Sequence, residues 1–202
     1  MKKIKILSYG NGNLGSLQNA FNIINYPSSV VKDLNEIDEA DLLVLPGVGS
    51  AITASKFLKN KDLIERLNHR NTNRKPILGI CLGAQLFFEY LNESKHPGLG
   101  WVKGEVTKMD TFNIGWSQID FNSLKRYNLN KNLNKQDTFY FNHQYMFPNG
   151  HDLLPHLVND QKNIIPSLFI KGNLCGVQFH PEKSQASGMK ILNNILKLYY
   201  GI

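Results

Sequence analysis

Long apolar runs and cysteines are both scarce in this 202-residue sequence. No run approaches the roughly 18 apolar residues of a membrane-spanning helix, and the start lacks the apolar core of about 7–15 residues found in secretory signals. The sequence therefore predicts a cytoplasmic protein that does not insert into membranes. In that compartment a disulfide between the two cysteines, Cys81 and Cys175, is not expected, and we interpret both as free thiols.

Dense basic runs with interleaved aromatic residues, typical of nucleic-acid-binding surfaces, are also lacking. The net charge of +7 accompanies many Lys and 24 Asn residues, so we interpret it as a composition bias and expect no nucleic-acid partner. Apolar residues make up 42% and charged residues 19%, which predicts one globular domain over residues 1–202. No motif indicates a metal or organic cofactor.

Short apolar runs alternate with helix-like stretches in the first half of the chain. Helical spacing begins at Leu14 and again between Leu58 and Leu67. The predicted strands are Ile4–Tyr9, Val30–Val31, Leu42–Leu45 and Pro76–Ile80. This alternation predicts an α/β fold whose mostly parallel sheet is flanked by helices.

The second half has strand-like segments separated by turns, with little helix between them. These segments are Trp101–Thr107, Ile119–Phe121, Thr138–Tyr145, Ser167–Ile170 and Leu174–Phe179. They predict an antiparallel extension of the sheet. A helical apolar pattern from Gly188 to Tyr200 closes the chain, and the Asn- and Lys-rich stretch Lys125–Lys135 predicts a solvated loop.

Cys81 lies between glycines in the segment Gly79-Ile80-Cys81-Leu82-Gly83, after an apolar strand and before a helical pattern. This pattern is typical of a nucleophile elbow, in which a sharp turn exposes the reactive side chain. Gly83 would let the backbone crowd the turn, and Gly79 would let a substrate approach. Exposed amides and the helix dipole would favour the thiolate. The alternative is a buried structural cysteine.

His180 and Glu182 are separated by one proline. On an extended chain such residues point the same way, so the carboxylate could hold one ring nitrogen while the other faces a nucleophile. Pro181 would stiffen the pair by restricting φ. The alternative interpretation is an ordinary surface pair at a strand end.

The Gly-rich segment Leu45–Gly49 follows the third predicted strand. Its backbone amides, with that of Leu82, could form an oxyanion hole at the carboxyl ends of the strands. An ordinary strand-to-helix turn is the alternative. A phosphate-binding loop is disfavoured because the Gly-Lys-Ser/Thr ending is missing.

Together these motifs resemble the class I, or triad, glutamine amidotransferase family, and more narrowly the glutaminase subunits of imidazole glycerol phosphate synthase. The resemblance covers nearly the whole chain in order. It rests on Tyr9–Leu14, Leu45–Gly49, Gly79–Gln85, Gly98–Gly100, Ile114–Trp116, Tyr140–Tyr145 and Gly176–Gln185.

The resemblance implies a catalytic triad of Cys81, His180 and Glu182, with glutamine as the substrate. It also implies an oxyanion hole and a substrate pocket. The oxyanion hole would use backbone amides of Leu82, Gly47 and Val48, and the pocket would involve Gln85, Glu93, Gly49, His143, Gln144 and Tyr145. Ammonia would pass to a (β/α)₈-barrel cyclase subunit in a heterodimer, with Trp116 and Lys183 as candidate interface residues.

Two segments depart from the pattern usual for that synthase. Phe112–Ser117 stands where Pro-His-Ile-Gly-Trp-Asn is usual, and Asn142–Tyr145 stands where Val-His-Ser-Tyr is usual. The triad motif is intact, so these departures concern the partner. The same chemistry could instead supply ammonia to a sugar amidotransferase of bacterial surface-sugar biosynthesis. A hydrolase acting alone and an inactive regulatory module are more distant alternatives.

Overall fold

The computed structural model describes residues 2–9, 13–47, 51–120, 124, 125, 127–148, 156–158 and 164–201. The strands in these ranges, in chain order, are β1 (Ile4–Ile6), β2 (Ser28–Val30), β3 (Leu42–Leu45), β4 (Ile77–Ile80), β5 (Phe88–Leu91), β6 (His96–Pro97), β7 (Val102–Gln118), β8 (Thr138–Met146), β9 (His156–Val158), β10 (Ile164–Pro166), β11 (Leu168–Lys171) and β12 (Leu174–Val177). The helices are α1 (Leu14–Ile23), α2 (Asn35–Glu39), α3 (Ala51–Phe57), α4 (Lys61–Thr72), α5 (Leu82–Gln85), a 3₁₀ turn (Pro181–Lys183) and α6 (Gln185–Tyr200).

A six-stranded sheet with the order β11-β12-β4-β3-β1-β2 forms the centre of the molecule. Its neighbouring strands are parallel except β11 and β12, which pair antiparallel. The predicted α/β class with a mostly parallel sheet is therefore confirmed. All four residues of β3 are buried, as expected for a parallel strand covered by structure on both faces.

Alternate residues of the central strands pack into two cores, one on each face of the sheet. Along β3, Leu42 and Val44 join one core, whereas Leu43 and Leu45 join the other. The first core also receives the apolar stripe of α6, and the second receives α4 and the segment after α5. Two-residue periodicity on strands and 3.6-residue periodicity on helices account for this division.

Asparagine side chains start two of the helices on the faces of this sheet. The Asn13 side chain accepts a hydrogen bond from the Ser16 amide before α1, and that of Asn60 accepts one from Leu63 before α4. Each side chain satisfies a backbone donor that has no partner within the helix. Among the described residues, no helix is long and apolar enough to cross a membrane.

A second sheet with the order β6-β5-β7-β8 carries the antiparallel extension. Its main element is the antiparallel pair of β7 and β8, whose register shifts between Lys108 and Asn113. The strand predicted to end at Thr107 continues to Gln118 because β8 supplies its hydrogen-bond partners. Ile119 lies just beyond it, and Phe121, where a further strand was predicted to end, is outside the described residues.

The described residues of the stretch Lys125–Lys135 are mostly exposed and in turns, as the composition predicts, but two leucines among them are buried. Leu129 is fully buried and Leu133 is 8% exposed, because both pack into the core beside α6. The side-chain amide of Asn194 donates to the carbonyl oxygens of Leu129 and Lys131, at 2.7 and 2.8 Å. Two apolar residues among many polar ones are enough to anchor the segment.

Arg70 is completely buried on α4 and joins three segments of backbone. Its guanidinium donates hydrogen bonds to the carbonyl oxygens of Ile37, Ala40 and Pro76 at 2.7–2.9 Å. Burial lowers the pKa of Arg70 to about 10, so the side chain remains charged at neutral pH. The cation satisfies carbonyl groups in the segment before β3 and directly before β4.

We expect Arg70→Met to lower the free energy of unfolding by roughly 2–4 kcal/mol, because it removes the donor shared by three carbonyl groups. Arg66→Met is the matched control on the same helix, since Arg66 pairs with the partly exposed Asp38 and its replacement should cost less than about 1 kcal/mol. Urea unfolding measures both values, and equal losses would contradict the role given to Arg70.

Candidate active site

The turn between β4 and α5 holds Cys81 at the carboxyl end of the central sheet. Cys81 has φ 48° and ψ −109°, an unfavourable backbone conformation for a non-glycine residue. The turn is held in place because the Cys81 amide donates to the Val177 carbonyl at 2.6 Å. This geometry matches the nucleophile elbow that the sequence pattern predicts.

Glycines around the elbow allow backbone segments to touch. A Cβ atom on Gly83 would lie 2.0 Å from the Leu45 carbonyl oxygen, and one on Gly47 would lie 2.7 Å from the Cβ of Cys81. A Cβ atom on Gly79 would meet the backbone of Ala84 at 2.5 Å. Gly79 therefore serves packing of α5 on β4, and the prediction that it admits a substrate is wrong.

Helix α5 is a single turn of four residues, after which the chain enters β5. The amides of Ala84 and Gln85 both donate to the carbonyl of Cys81 at 3.1 Å. Because so few peptide groups are aligned, the helix dipole at Cys81 is smaller than the sequence pattern predicts. Local hydrogen-bond donors therefore have a larger part in setting the environment of the sulfur atom.

His180 and Glu182 form a buried pair beside Cys81. The Nδ1 atom of His180 lies 2.8 Å from Oε1 of Glu182, and the two side chains are only 4% and 5% exposed. The predicted extended conformation is wrong, because Glu182 belongs to the 3₁₀ turn that begins with Pro181. The restricted φ of proline suits the first position of such a turn, which brings the carboxylate back under the ring.

Backbone contacts fix the position of this turn against β8. The His180 amide donates to the Tyr140 carbonyl at 2.8 Å. The Ser184 hydroxyl donates to the His180 carbonyl at 2.6 Å and accepts from the Tyr140 amide at 2.9 Å. The imidazole is therefore held by strand β8 as well as by its own turn.

Burial by itself lowers the pKa of His180. The charge of Cys81 and hydrogen bonds with Cys81 and Glu182 outweigh burial and raise the pKa to about 10. The doubly protonated ring is consequently favoured at neutral pH. Since Nδ1 faces Glu182, Nε2 is the ring nitrogen left for Cys81. The arrangement provides a sulfur nucleophile, a proton donor beside it and a carboxylate that orients the donor.

A cavity of about 360 Å³ opens over Cys81, a size typical of small-molecule sites. Nine residues predicted for the triad, the oxyanion hole or substrate binding line it: Gly47, Cys81, Leu82, Gln85, Glu93, His143, Gln144, Tyr145 and His180. Lys183, which was predicted for the partner interface, also lines it. Glu182 lies behind His180. Val48 and Gly49, predicted for the oxyanion hole and the substrate pocket, are outside the described residues.

Two lining residues, Phe112 and Asn142, were not predicted. Asn142 lies on β8 two residues before the predicted residue Gln144, so the two-residue alternation of that strand could have indicated it. Phe112 reaches the cavity because β7 has extra residues between Lys108 and Asn113 relative to β8, and this register shift has no signal in the sequence.

Glu93 links the cavity to the start of α3. Its Oε2 atom accepts a hydrogen bond from the Ala51 amide at 3.3 Å. Helix α3 follows the segment that was predicted to supply oxyanion-hole donors. A single carboxylate thus borders the cavity and anchors the helix that follows this segment.

Tyr145 contributes a backbone acceptor to the wall of the cavity. Its carbonyl oxygen accepts from Gln85 Nε2 at 3.0 Å and from His143 Nδ1 at 2.8 Å. Since a carbonyl can only accept, His143 carries its proton on Nδ1, and Nε2 accepts from the Asn113 side-chain amide at 2.9 Å. Burial lowers the pKa of His143 to about 4, so this ring is neutral.

Exposed apolar side chains continue outward from the cavity along β7. Phe112, Ile114 and Trp116 are 53%, 63% and 46% exposed. Trp116 packs edge-on against Tyr140, with ring centroids 5.8 Å apart, and the Lys183 ammonium lies 5.7 Å from the centre of the Tyr140 ring. The two predicted interface residues therefore both contact the ring of Tyr140. No cluster of potential metal ligands occurs in the described part of the chain.

Comparison with known proteins identifies a family model and close relatives. Residues 10–198 match the model described as glutamine amidotransferase class-I. Imidazole glycerol phosphate synthase subunit HisH of Lactococcus lactis is 41% identical, covering 98% of this chain and 99% of the relative. The protein of the same name from Pelagibacter ubique is 36% identical, covering 96% and 99%.

Solved structures share the fold at lower sequence identity. A crystal structure titled glutamine amidotransferase superposes with a TM-score of 0.76 at 16% identity, covering 98% of this chain and 99% of the other. The structure of PurLQS from Thermotoga maritima gives a TM-score of 0.71 at 17% identity, covering 97% and 98%. These superpositions support the α/β architecture.

Acid should destabilise the wild-type chain through His143. The unfolded residue binds a proton below a pH of about 6.5, whereas the folded residue does so only near pH 4, so stability falls as pH drops through this interval. We expect His143→Gln to reduce that fall by roughly 3 kcal/mol. Unfolding by urea at pH 7 and pH 4 measures it, with the exposed His69→Gln as control. Parallel pH profiles for wild type and His143→Gln would contradict this.

Proposed function

This chain belongs to the class I glutamine amidotransferase family, and from that premise we propose that it is a glutaminase subunit whose nucleophile is Cys81. The observation that carries this proposal is that Cys81 and the hydrogen-bonded pair of His180 and Glu182 meet at one cavity. The strained elbow presents the sulfur, and the buried carboxylate orients the imidazole. This is the geometry that amide hydrolysis through a covalent intermediate requires.

In the first half of the reaction, the Cys81 thiolate attacks the side-chain amide carbon of glutamine, and the carbonyl oxygen becomes an oxyanion. The tetrahedral intermediate collapses when its carbon–nitrogen bond breaks, while His180 delivers its Nε2 proton to the leaving nitrogen. Ammonia departs and a glutamyl thioester remains on Cys81. Glu182 keeps Nδ1 occupied throughout, so that Nε2 stays directed at the reacting atoms.

In the second half, His180 accepts a proton from water as the water oxygen attacks the thioester carbon. Breaking the carbon–sulfur bond releases glutamate and regenerates Cys81. Both halves pass through an oxyanion, for which the backbone amide of Leu82 is one donor. The segment beginning at Gly47 supplies the other, and losing one such donor costs roughly 2.7–4 kcal/mol.

Recognition of glutamine uses the polar wall of the cavity. The Glu93 carboxylate would bind the α-ammonium group, since opposite charges attract strongly in a partly enclosed site. Gln85 and the backbone around Gln144 and Tyr145 would bind the remaining amino-acid atoms. The hydrogen bond from Gln85 to Tyr145 keeps this wall in place before the substrate arrives.

The ammonia acceptor in this proposal is the cyclase barrel subunit of imidazole glycerol phosphate synthase. Relatives that carry that synthase subunit's name align over nearly their whole length. Phe112, Ile114 and Trp116 offer an exposed apolar surface beside the cavity, suited to a protein partner placed where ammonia leaves. The second candidate, a sugar amidotransferase, is favoured by the unpredicted cavity residues Phe112 and Asn142, which belong to the two departing segments.

Replacement of Cys81 tests the chemistry. We expect Cys81→Ala to lower glutamate release by at least about 10³-fold, because no thioester can form. Cys175→Ala is the matched control: Cys175 is fully buried on β12, burial raises the pKa of its thiol, and its loss should leave the rate within about twofold. Retained activity in Cys81→Ala would refute the assignment of the nucleophile.

Addition of the purified cyclase barrel subunit with its ribonucleotide substrate tests the partner. We expect glutamate release to rise, and Trp116→Ala to weaken partner binding by about tenfold or more, since buried aromatic side chains dominate interfaces. Leu198→Ala, on the exposed side of α6, should bind normally. An active chain that the barrel subunit does not stimulate would favour the sugar amidotransferase instead.

A further inference from the structure

Gln178 is a fully buried side chain beside Cys81 that no step of the proposed mechanism uses. It directly follows β12, and its backbone amide donates to the Ser167 carbonyl at 2.8 Å. Its side-chain Nε2 lies 3.6 Å from the sulfur of Cys81, and its Oε1 lies 3.3 Å from Nε2 of Gln85. Gln178 does not line the cavity, so it contacts the nucleophile from behind.

The orientation of the Gln178 amide follows from its neighbours. The Tyr145 carbonyl can only accept, so the side-chain nitrogen of Gln85 must face it. That same nitrogen is the atom nearest Gln178, which must therefore present its oxygen. Only the nitrogen of Gln178 is then left to face Cys81. The Tyr145 carbonyl thus fixes the orientation of the Gln85 amide, which in turn fixes that of Gln178 and directs its N–H group at the sulfur.

An N–H donor acts differently on the two forms of a cysteine. A thiol sulfur is a weak acceptor, whereas a thiolate accepts a charge-assisted hydrogen bond that is about twice as strong as a neutral one. The donor therefore favours the nucleophilic form. This matters at Cys81 because α5 is too short to provide a large dipole.

We propose that Gln178 is a positioning residue that holds the Cys81 sulfur and stabilises its thiolate through the side-chain N–H group. This inference rests on the proposed function, because it takes Cys81 as the nucleophile. Gln178 acts together with His180. Gln178 donates from the residue after β12, and His180 donates from the residue before the 3₁₀ turn. A purely structural role would instead be limited to supporting Gln85.

The test is Gln178→Met, which keeps an unbranched side chain of similar size but has no N–H donor. We expect alkylation of Cys81 by iodoacetamide at pH 7 to slow by about tenfold, with its pH midpoint moved upward. Mass spectrometry of the Cys81 peptide measures the rate separately from Cys175. Glutaminase kcat should fall by a similar factor while KM stays within about twofold, since Gln178 does not touch the cavity.

The matched control is Asn194→Leu, which removes another buried side-chain amide whose partners lie in the segment beside α6. It controls for lost stability and should leave the alkylation profile unchanged. An alkylation profile for Gln178→Met that coincides with wild type would overturn the proposal. So would a change confined to KM, which would assign Gln178 to support of Gln85 alone.

A second measurement uses the native chain and needs no substitution at Gln178. The side-chain ¹⁵N–¹H signals of Gln178 should shift with pH, and the midpoint of this shift should coincide with the pH midpoint of Cys81 alkylation. The shift should vanish in Cys81→Ala. Gln178 signals that do not change over the pH range in which Cys81 becomes reactive would overturn the proposal. Full glutaminase activity in Cys81→Ala would instead refute the proposed function, so the two failures are distinguishable.

Discussion

Close backbone contact at the elbow is the constraint on which the rest of the site depends. Gly83 lies so near the Leu45 carbonyl that no side chain fits, and a Cβ atom on Gly47 would also clash with Cys81. These contacts seat α5 against the ends of β3 and β4 and hold Cys81 at a positive φ. The strain is borne by a well-packed sheet whose central strands are buried on both faces, which is how strained residues persist in folded proteins.

Parallel pairing of β12 with β4 places the His180 part of the site beside the Cys81 part. Val177 of β12 pairs with Ile80 of β4, although nearly a hundred residues separate them. The residue after each strand then faces the other, so Gln178 meets Cys81. His180 follows two residues later, and the 3₁₀ turn after it supplies Glu182. The carboxyl ends of adjacent parallel strands therefore place the proposed nucleophile, proton donor and orienting carboxylate at one edge.

The antiparallel pair β7–β8 closes the cavity and connects it to the outer surface. On its inner side, His143 and Tyr145 form part of the wall, and Asn113 of β7 hydrogen-bonds His143. On its outer side, alternate residues of β7 expose apolar side chains. A single strand pair thus borders both the proposed glutamine pocket and the surface proposed for the partner. Both segments that depart from the usual family pattern lie on this pair, so both adjoin the proposed pocket and the proposed docking surface.

The sequence by itself determined the α/β class, the elbow around Cys81 and the pairing of His180 with Glu182, because these depend on local periodicity, glycine placement and short spacing. Only the tertiary structure decided what depends on contacts between distant segments. Pairing with β8 extended β7 and brought Phe112 to the cavity, the core buried Leu129 in a polar stretch, and Gly79 was needed for helix packing. Gln178 stood in a recognisable motif, but its contact with sulfur exists only because two strands meet, and no local pattern encodes that distance.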